Sequence, residues 1–176
     1  MKLFKRISCF FDKIAHEIRM IKLKDMLIFS GIFLILGIIS WIVGGRANRI
    51  VLLYDFPRSA ISIGFMFVLW GASFIFCGAI LSGILLGCEK YRRHRAYKIA
   101  LYIIIMQIFT FMLYPLFFGA IAPFIAFLAN IIALFFCMLS ILSSYRLYSL
   151  WTVCLCLHFL WLFYNAYVCL AFIFIN

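Results

Sequence analysis

From Ile99 to Tyr145 the chain runs for 47 residues without an Asp, Glu, Lys or Arg. As one α-helix, at about 1.5 Å per residue, this stretch would be about 70 Å long, more than twice a bilayer core of about 30 Å. It suits two spans and a turn. The turn is written near its middle, in YPLFFGAIAPF (Tyr114–Phe124). Pro115 lacks an N–H and clashes one turn back, which loosens the end of the first helix. Gly119 can take the left-handed conformation that ends a helix, and Pro123 suits the first turn of the next one. A turn without charges stays near the headgroups or packs against protein, so the segment reads as a membrane hairpin.

The rest of the chain has the same character. Hydrophobic residues make up 69% of it and charged residues 12%, against about 45–50% and about 25% in an average soluble domain. Too little polar surface exists to coat a globule of 176 residues. The expected fold is an all-α integral membrane protein, a five-transmembrane-helix bundle preceded by an N-terminal amphipathic interfacial helix. The spans are expected at about Met26–Gly45, Ala60–Gly87, Ile99–Phe118, Pro123–Ser143 and Leu147–Ile175, giving a basic segment 1–25 and a transmembrane domain 26–176. The second and fifth are long enough to tilt, bend or protrude. No alternation of polar and apolar positions supports a membrane barrel.

Charge placement tests the number of spans. Seven Lys/Arg precede the first span, five lie in Cys88–Lys98, and Arg146 sits between the last two spans. Five crossings put these 13 on one side and leave Arg46, Arg49 and Arg58 on the other. The positive-inside rule then places the N-terminus in the cytoplasm and the C-terminus opposite, and a bacterial inner membrane fits best. The first 25 residues have neither the apolar core nor the cleavage site of a signal peptide. Instead Leu3, Phe4, Ile7, Phe10, Phe11, Ile14, Ile18 and Ile21 recur at helical spacing between Lys and Arg. That pattern suits a helix lying in the interface on anionic lipid. The net charge of +11 therefore reads as topology and lipid contact, and nucleic acid is not expected as a partner.

Few residues in the spans carry chemistry. Cys77, Cys137, Cys154, Cys156 and Cys169 lie within spans, where cysteine acts as a small hydrophobe. His158 is the only histidine inside a span. Cys154, His158 and Trp161 share one helical face, and Tyr164 and Asn165 continue it. His158 is expected either to orient or ligate something held between helices, or to hydrogen-bond a neighbouring helix as the neutral ring. Gln107 and Asn130 are expected as interhelical hydrogen-bond partners. Gly64, Gly71, Ala72, Ser73, Gly78 and Gly83 would let another helix approach closely. No span contains an acidic residue, and no phosphate loop, metal motif or nucleophile elbow appears. No catalytic site, metal or required cofactor is expected. Any cavity will have aromatic walls, suited to a flat or bulky hydrophobic ligand. The run Leu86–Arg93, through Tyr91, also fits a loose cholesterol pattern.

Three blocks resemble the TspO/MBR family, the translocator or tryptophan-rich sensory proteins. LWGASFIFCG (Leu69–Gly78) is similar to the family's V-W-T-x-L-Y-x-x-M-G, with Trp70 and Gly78 coinciding and Phe74 in place of the Tyr. PLFFGAIAP (Pro115–Pro123), which includes Phe117, is similar to P-L-F-F-G-x-x-S-P. LHFLWLFYNAYVCLAFIFIN (Leu157–Asn176) lies ungapped on P-Y-L-x-W-x-x-F-A-x-x-L-N-x-x-I-x-x-L-N, where Trp161 and Asn176 coincide and Tyr164 replaces a Phe. Pro57 fits the first proline of the family's loop motif, but the P-P-x-W after it falls on Ile61, Ser62, Ile63 and Gly64. The helix-three N-x-x-W falls on Thr110 and Leu113. In the last block Pro-Tyr becomes Leu157-His158, Ala becomes Asn165 and Asn becomes Cys169.

The resemblance implies five helices and a pocket for a tetrapyrrole (haem or protoporphyrin) or a sterol-like molecule. The residues expected to line it are Trp70, Phe74, Phe117, His158, Trp161 and Asn165. Expected partners are the bilayer, a hydrophobic small molecule and, in one arrangement, a second copy of the chain as a homodimer. Two other readings remain open. One is a small transporter or channel component, in which the absence of intramembrane carboxylates argues against ion-coupled pumping. The other is a structural assembly factor using the basic N-terminal segment as its lipid or partner contact. Turnover of a tetrapyrrole is left open, although no acid or base is evident for it.

Overall fold

The computed structural model describes residues 2–19, 21–45, 54–57, 60–87, 93–145 and 147–176, with side chains from residue 11 onward. The described residues form helices and no strand. In chain order these are α1 (Lys2–Arg19), α2 (Leu23–Gly44), α3 (Ile63–Leu86), α4 (Arg93–Gly119), α5 (Pro123–Ser144) and α6 (Ser149–Ile175). The last five, α2 to α6, are each long and apolar enough to cross a bilayer. The chain is a multi-pass, all-α integral membrane protein.

Most helix ends fall within three residues of the expected spans, and the exception has a physical reason. α4 begins at Arg93, six residues before the expected Ile99, so the basic run Arg93–Lys98 is its first two turns. A span estimate stops at the first charge, whereas a helix continues into the headgroups, where Lys and Arg stems lie along apolar surface with their charges in water. Lys98 takes such a place, with its Nζ 5.8 Å from the Tyr102 ring centre. Residues 88–92, which hold most of the cholesterol-like pattern, lie outside the described residues, as do Arg46, Arg49, Arg58 and Arg146.

Helix α2 packs on α3, α5 on both α4 and α6, and α3 touches α4 and α6. Apolar side chains surround these helices, and the polar ones turn inward. Gln107, Thr110, Asn130, His158 and Asn165 are all buried, while Leu128, Phe135, Leu157, Leu160 and Phe163 are exposed. A soluble bundle has the opposite distribution; this one is built for lipid outside. At the α2–α3 crossing, a Cβ on Gly78 would stand 2.7 Å from the backbone of Phe29 and Ser30. Glycine is what lets the two backbones meet there. A hydrogen bond from Ser40 Oγ to the Phe111 carbonyl (2.7 Å) joins α2 to α4.

The hairpin turn differs from its expectation in one respect. Pro115 does loosen α4: Pro115–Gly119 is a π-turn, closed by Ala120 N–H donating to the Pro115 carbonyl at 2.9 Å. The left-handed residue, however, is Ile121 (φ 52°) and not Gly119. The wider π-turn carries helical backbone through Gly119, so the reversal comes two residues later. Gly119 serves instead for close approach, since a Cβ there would lie 3.1 Å from the Gly44 carbonyl oxygen at the end of α2. Pro123 opens α5. Phe117 and Phe118 are buried, so the first part of the uncharged turn packs against protein, while Gly119, Ala120 and Ile121 are exposed.

Candidate functional site

A group of aromatic rings sits where the start of α3, the end of α4 and the second half of α6 converge. Met66 and Trp70 are one turn apart on α3. Tyr114, Phe117 and Phe118 come from the α4 end and its π-turn, and Trp161, Asn165, Val168 and Cys169 share one face of α6. Trp70 stands 5.5 Å from Tyr114 between ring centres, Tyr114 is 4.4 Å from Phe118, and Phe117 is 4.9 Å from Phe118. Between them is a cavity of about 20 Å³, room for about one water molecule. Its surface is almost wholly apolar.

Polar groups frame the walls. The indole N–H groups of Trp70 and Trp161 are buried without an acceptor. Asn165 donates through Nδ2 to the Trp161 carbonyl, one turn back, at 3.0 Å. Tyr164 stacks on Trp161 (5.7 Å, 25°) and accepts a hydrogen bond from the Ile61 N–H at 2.8 Å. Asn176 grips the Asp55 backbone from both sides: Oδ1 accepts from its N–H at 3.0 Å and Nδ2 donates to its carbonyl at 2.9 Å. These bonds fasten the chain leading into α3 to the second half of α6, fixing two of the three cavity walls relative to each other.

Of the six residues expected at a site, Trp70, Phe117, Trp161 and Asn165 line this cavity. Phe74 does not. It is fully buried against Trp70, with its ring and Cβ 3.0–3.3 Å from where a Cβ of Gly37 on α2 would stand. His158 also lies away from the cavity. Its ring meets the Cys77 thiol of α3, with Nε2 at 3.4 Å and Nδ1 at 3.7 Å. The face shared by His158, Trp161 and Asn165 therefore splits between a helix contact and a cavity wall. Among the described residues no three His, Cys, Asp or Glu side chains come together to hold a metal ion.

Cys77 belongs to a deeper polar layer. Trp70 faces Tyr114, and Cys77 and Gln107 lie seven residues farther along the same faces of these antiparallel helices, about 10 Å deeper. Asn130 bridges α5 to α6, donating from Nδ2 to the Leu162 carbonyl at 2.7 Å. Gln107, expected to bridge helices, is buried with neither end of its carboxamide partnered.

The pocket is expected between α3 and α6 with Phe117 from the turn; Tyr114 and Phe118, which complete the α4 wall, are not among the expected residues. Both residues stand in the turn segment that marks the hairpin. The segment that marks the hairpin thus also supplies the α4 wall. Glu17 was missed altogether. Its two carboxylate oxygens accept from the Ser149 and Leu150 N–H groups at 2.7 and 2.9 Å, capping α6 from a helix more than 130 residues earlier. Comparison with known protein families, with curated proteins and with solved structures finds no match.

Proposed function

We propose that this membrane-embedded bundle is a binding or sensory protein of the TspO/MBR type, which holds a flat hydrophobic molecule of the tetrapyrrole class against the aromatic walls of α3, α4 and α6. The observation that carries the reading is the convergence of Trp70, Tyr114, Phe117, Phe118 and Trp161 around one apolar cavity. Planar rings in the walls favour a planar ligand. The buried indole N–H groups favour one bearing acceptors, because each unpartnered donor costs about 1–3 kcal/mol that a ligand acceptor offsets.

Size sets a condition on this reading. Drug-sized ligands occupy about 300–1,000 Å³, so the cavity of about 20 Å³ admits a tetrapyrrole only after its rings turn aside and the helices part. The expected mode is ring stacking on Trp161 and Trp70, with Asn165 orienting polar substituents. His158, held against Cys77, takes no part as an iron ligand.

Titration of the purified protein in detergent with protoporphyrin and with haem, followed by tryptophan quenching, tests the proposal. Both should saturate, and Trp161→Ala should weaken each by about thirtyfold, as expected for an aromatic anchor worth about 2 kcal/mol. His158→Ala should leave haem no weaker relative to protoporphyrin. Quenching that does not saturate, or an affinity unchanged by Trp161→Ala, would overturn the assignment.

A further inference from the structure

The cap on α6 is supplied by a different helix. The first four N–H groups of any α-helix lack intrahelical acceptors, and Tyr148, at the N-cap of α6, offers no side-chain bond to them. Glu17 of α1 fills this role with both oxygens. A carboxylate at a helix N-terminus also meets the positive end of the helix dipole.

The rest of α1 indicates what holds it in place. At 100° per residue, Phe11, Ile14, Ala15 and Ile18 form one face, Lys13 and His16 the opposite one, with Asp12 and Arg19 on the border next to Ala15 and Glu17 on the border next to Ile14. Ile14 and Glu17 are half-buried toward the bundle. Phe11 and Ile18 are 62% and 53% exposed on the apolar face. Lys13, His16, Arg19, Lys22 and Lys24 are also exposed. A helix with one flank on the bundle, Ile18 exposed on its apolar face and Lys and Arg on the remaining side has the pattern of an in-plane helix at a bilayer surface. The cations complement anionic headgroups.

We propose that α1 is a clip responsive to lipid charge: it docks on an anionic bilayer surface, and in that position its Glu17 carboxylate caps α6. If the cap forms only when α1 is docked, the two events are linked. Anionic lipid then strengthens the cap, and the cap strengthens attachment to anionic lipid by the same factor. The clip seizes the opposite end of the helix that carries Trp161 and Asn165, and it stands independently of whether the cavity binds a ligand.

The amides of Ser149 and Leu150 report the clip directly, because the helix offers them no other acceptor. Hydrogen exchange at these two amides is compared for the full chain in nanodiscs of phosphatidylcholine alone and of phosphatidylcholine with phosphatidylglycerol. Protection should be greater in the anionic discs, and Glu17→Ala should speed exchange there about tenfold or more, as expected for bonds to a charged acceptor. Unchanged exchange around Leu155 to Leu162 shows that the variant remains folded. Replacing Lys13 and Arg19 by Gln should remove the lipid dependence and leave the cap itself available. Equal protection in the two lipids would overturn the coupling and turn the basic face over to a protein partner. Equal exchange in the native chain and Glu17→Ala would overturn the clip.

Discussion

Gln107 and Asn130 carry the same carboxamide, and the bundle uses them differently. Asn130 donates across to the Leu162 carbonyl at 2.7 Å and leaves only its Oδ1 unpartnered, whereas both ends of the Gln107 amide are buried without partners. Interhelical hydrogen bonds in membranes are worth about 0.6 kcal/mol on average and up to about 1.7. An unpaired buried amide costs about 1–3 kcal/mol. Asn130→Leu loses this bond but also the unpartnered Oδ1, so the two effects should offset to within about 1 kcal/mol. Gln107→Met, close in shape and without the orphaned atoms, should stabilise it by roughly 1 kcal/mol. Reversible unfolding in mixed micelles measures both. A destabilised Gln107→Met would mean that the carboxamide has a partner in the folded protein.

At the scale of elements, the glycines of α3 separate packing from simple tolerance. A Cβ on Gly78 would meet the α2 backbone at 2.7 Å, whereas nothing lies within 4 Å of one on Gly64. Gly78→Ala should cost about 1–3 kcal/mol by forcing two backbones apart. Gly64→Ala should stay within about 0.5 kcal/mol of the parent. The same unfolding assay distinguishes them, and equal effects would contradict the observed α2–α3 crossing.

The contrast between the two glycines shows how far the sequence can be read. Helix positions were legible because a bilayer core excludes charge, so Lys24, Arg46 and Lys98 bracket spans without reference to any partner. Which face of each helix turns inward was not legible. The spans are apolar on every side, so periodicity does not distinguish Gly78 from Gly64, or Phe74 against α2 from Trp70 at the cavity. Trp161 and Asn165 could be placed because they are polar or aromatic on one stripe, while His158 on the same stripe went to Cys77 instead. Glu17 left no local trace, since its partners lie more than 130 residues away.

Across the whole molecule, one solvent accounts for the design. Exposed Leu, Ile and Phe cover the helices, polar side chains gather inside, and α1 is the amphipathic element, joined to α6 through Glu17. The cavity occupies the half of the bundle away from α1, built from the start of α3, the end of α4 and the second half of α6. If the N-terminus is cytoplasmic, as the positive-inside rule expects from the 13-to-3 division of Lys and Arg, the aromatic walls would lie toward the outer leaflet and the Glu17 clip toward the inner one. Compartment-specific reporters fused at Met1 and at Asn176 test this arrangement most directly. Five crossings predict reporters active in opposite compartments, and the positive-inside rule predicts Met1's in the cytoplasm and Asn176's on the far side. Activity of both in one compartment would require an even number of crossings and would contradict the bundle on which the cavity and the clip depend.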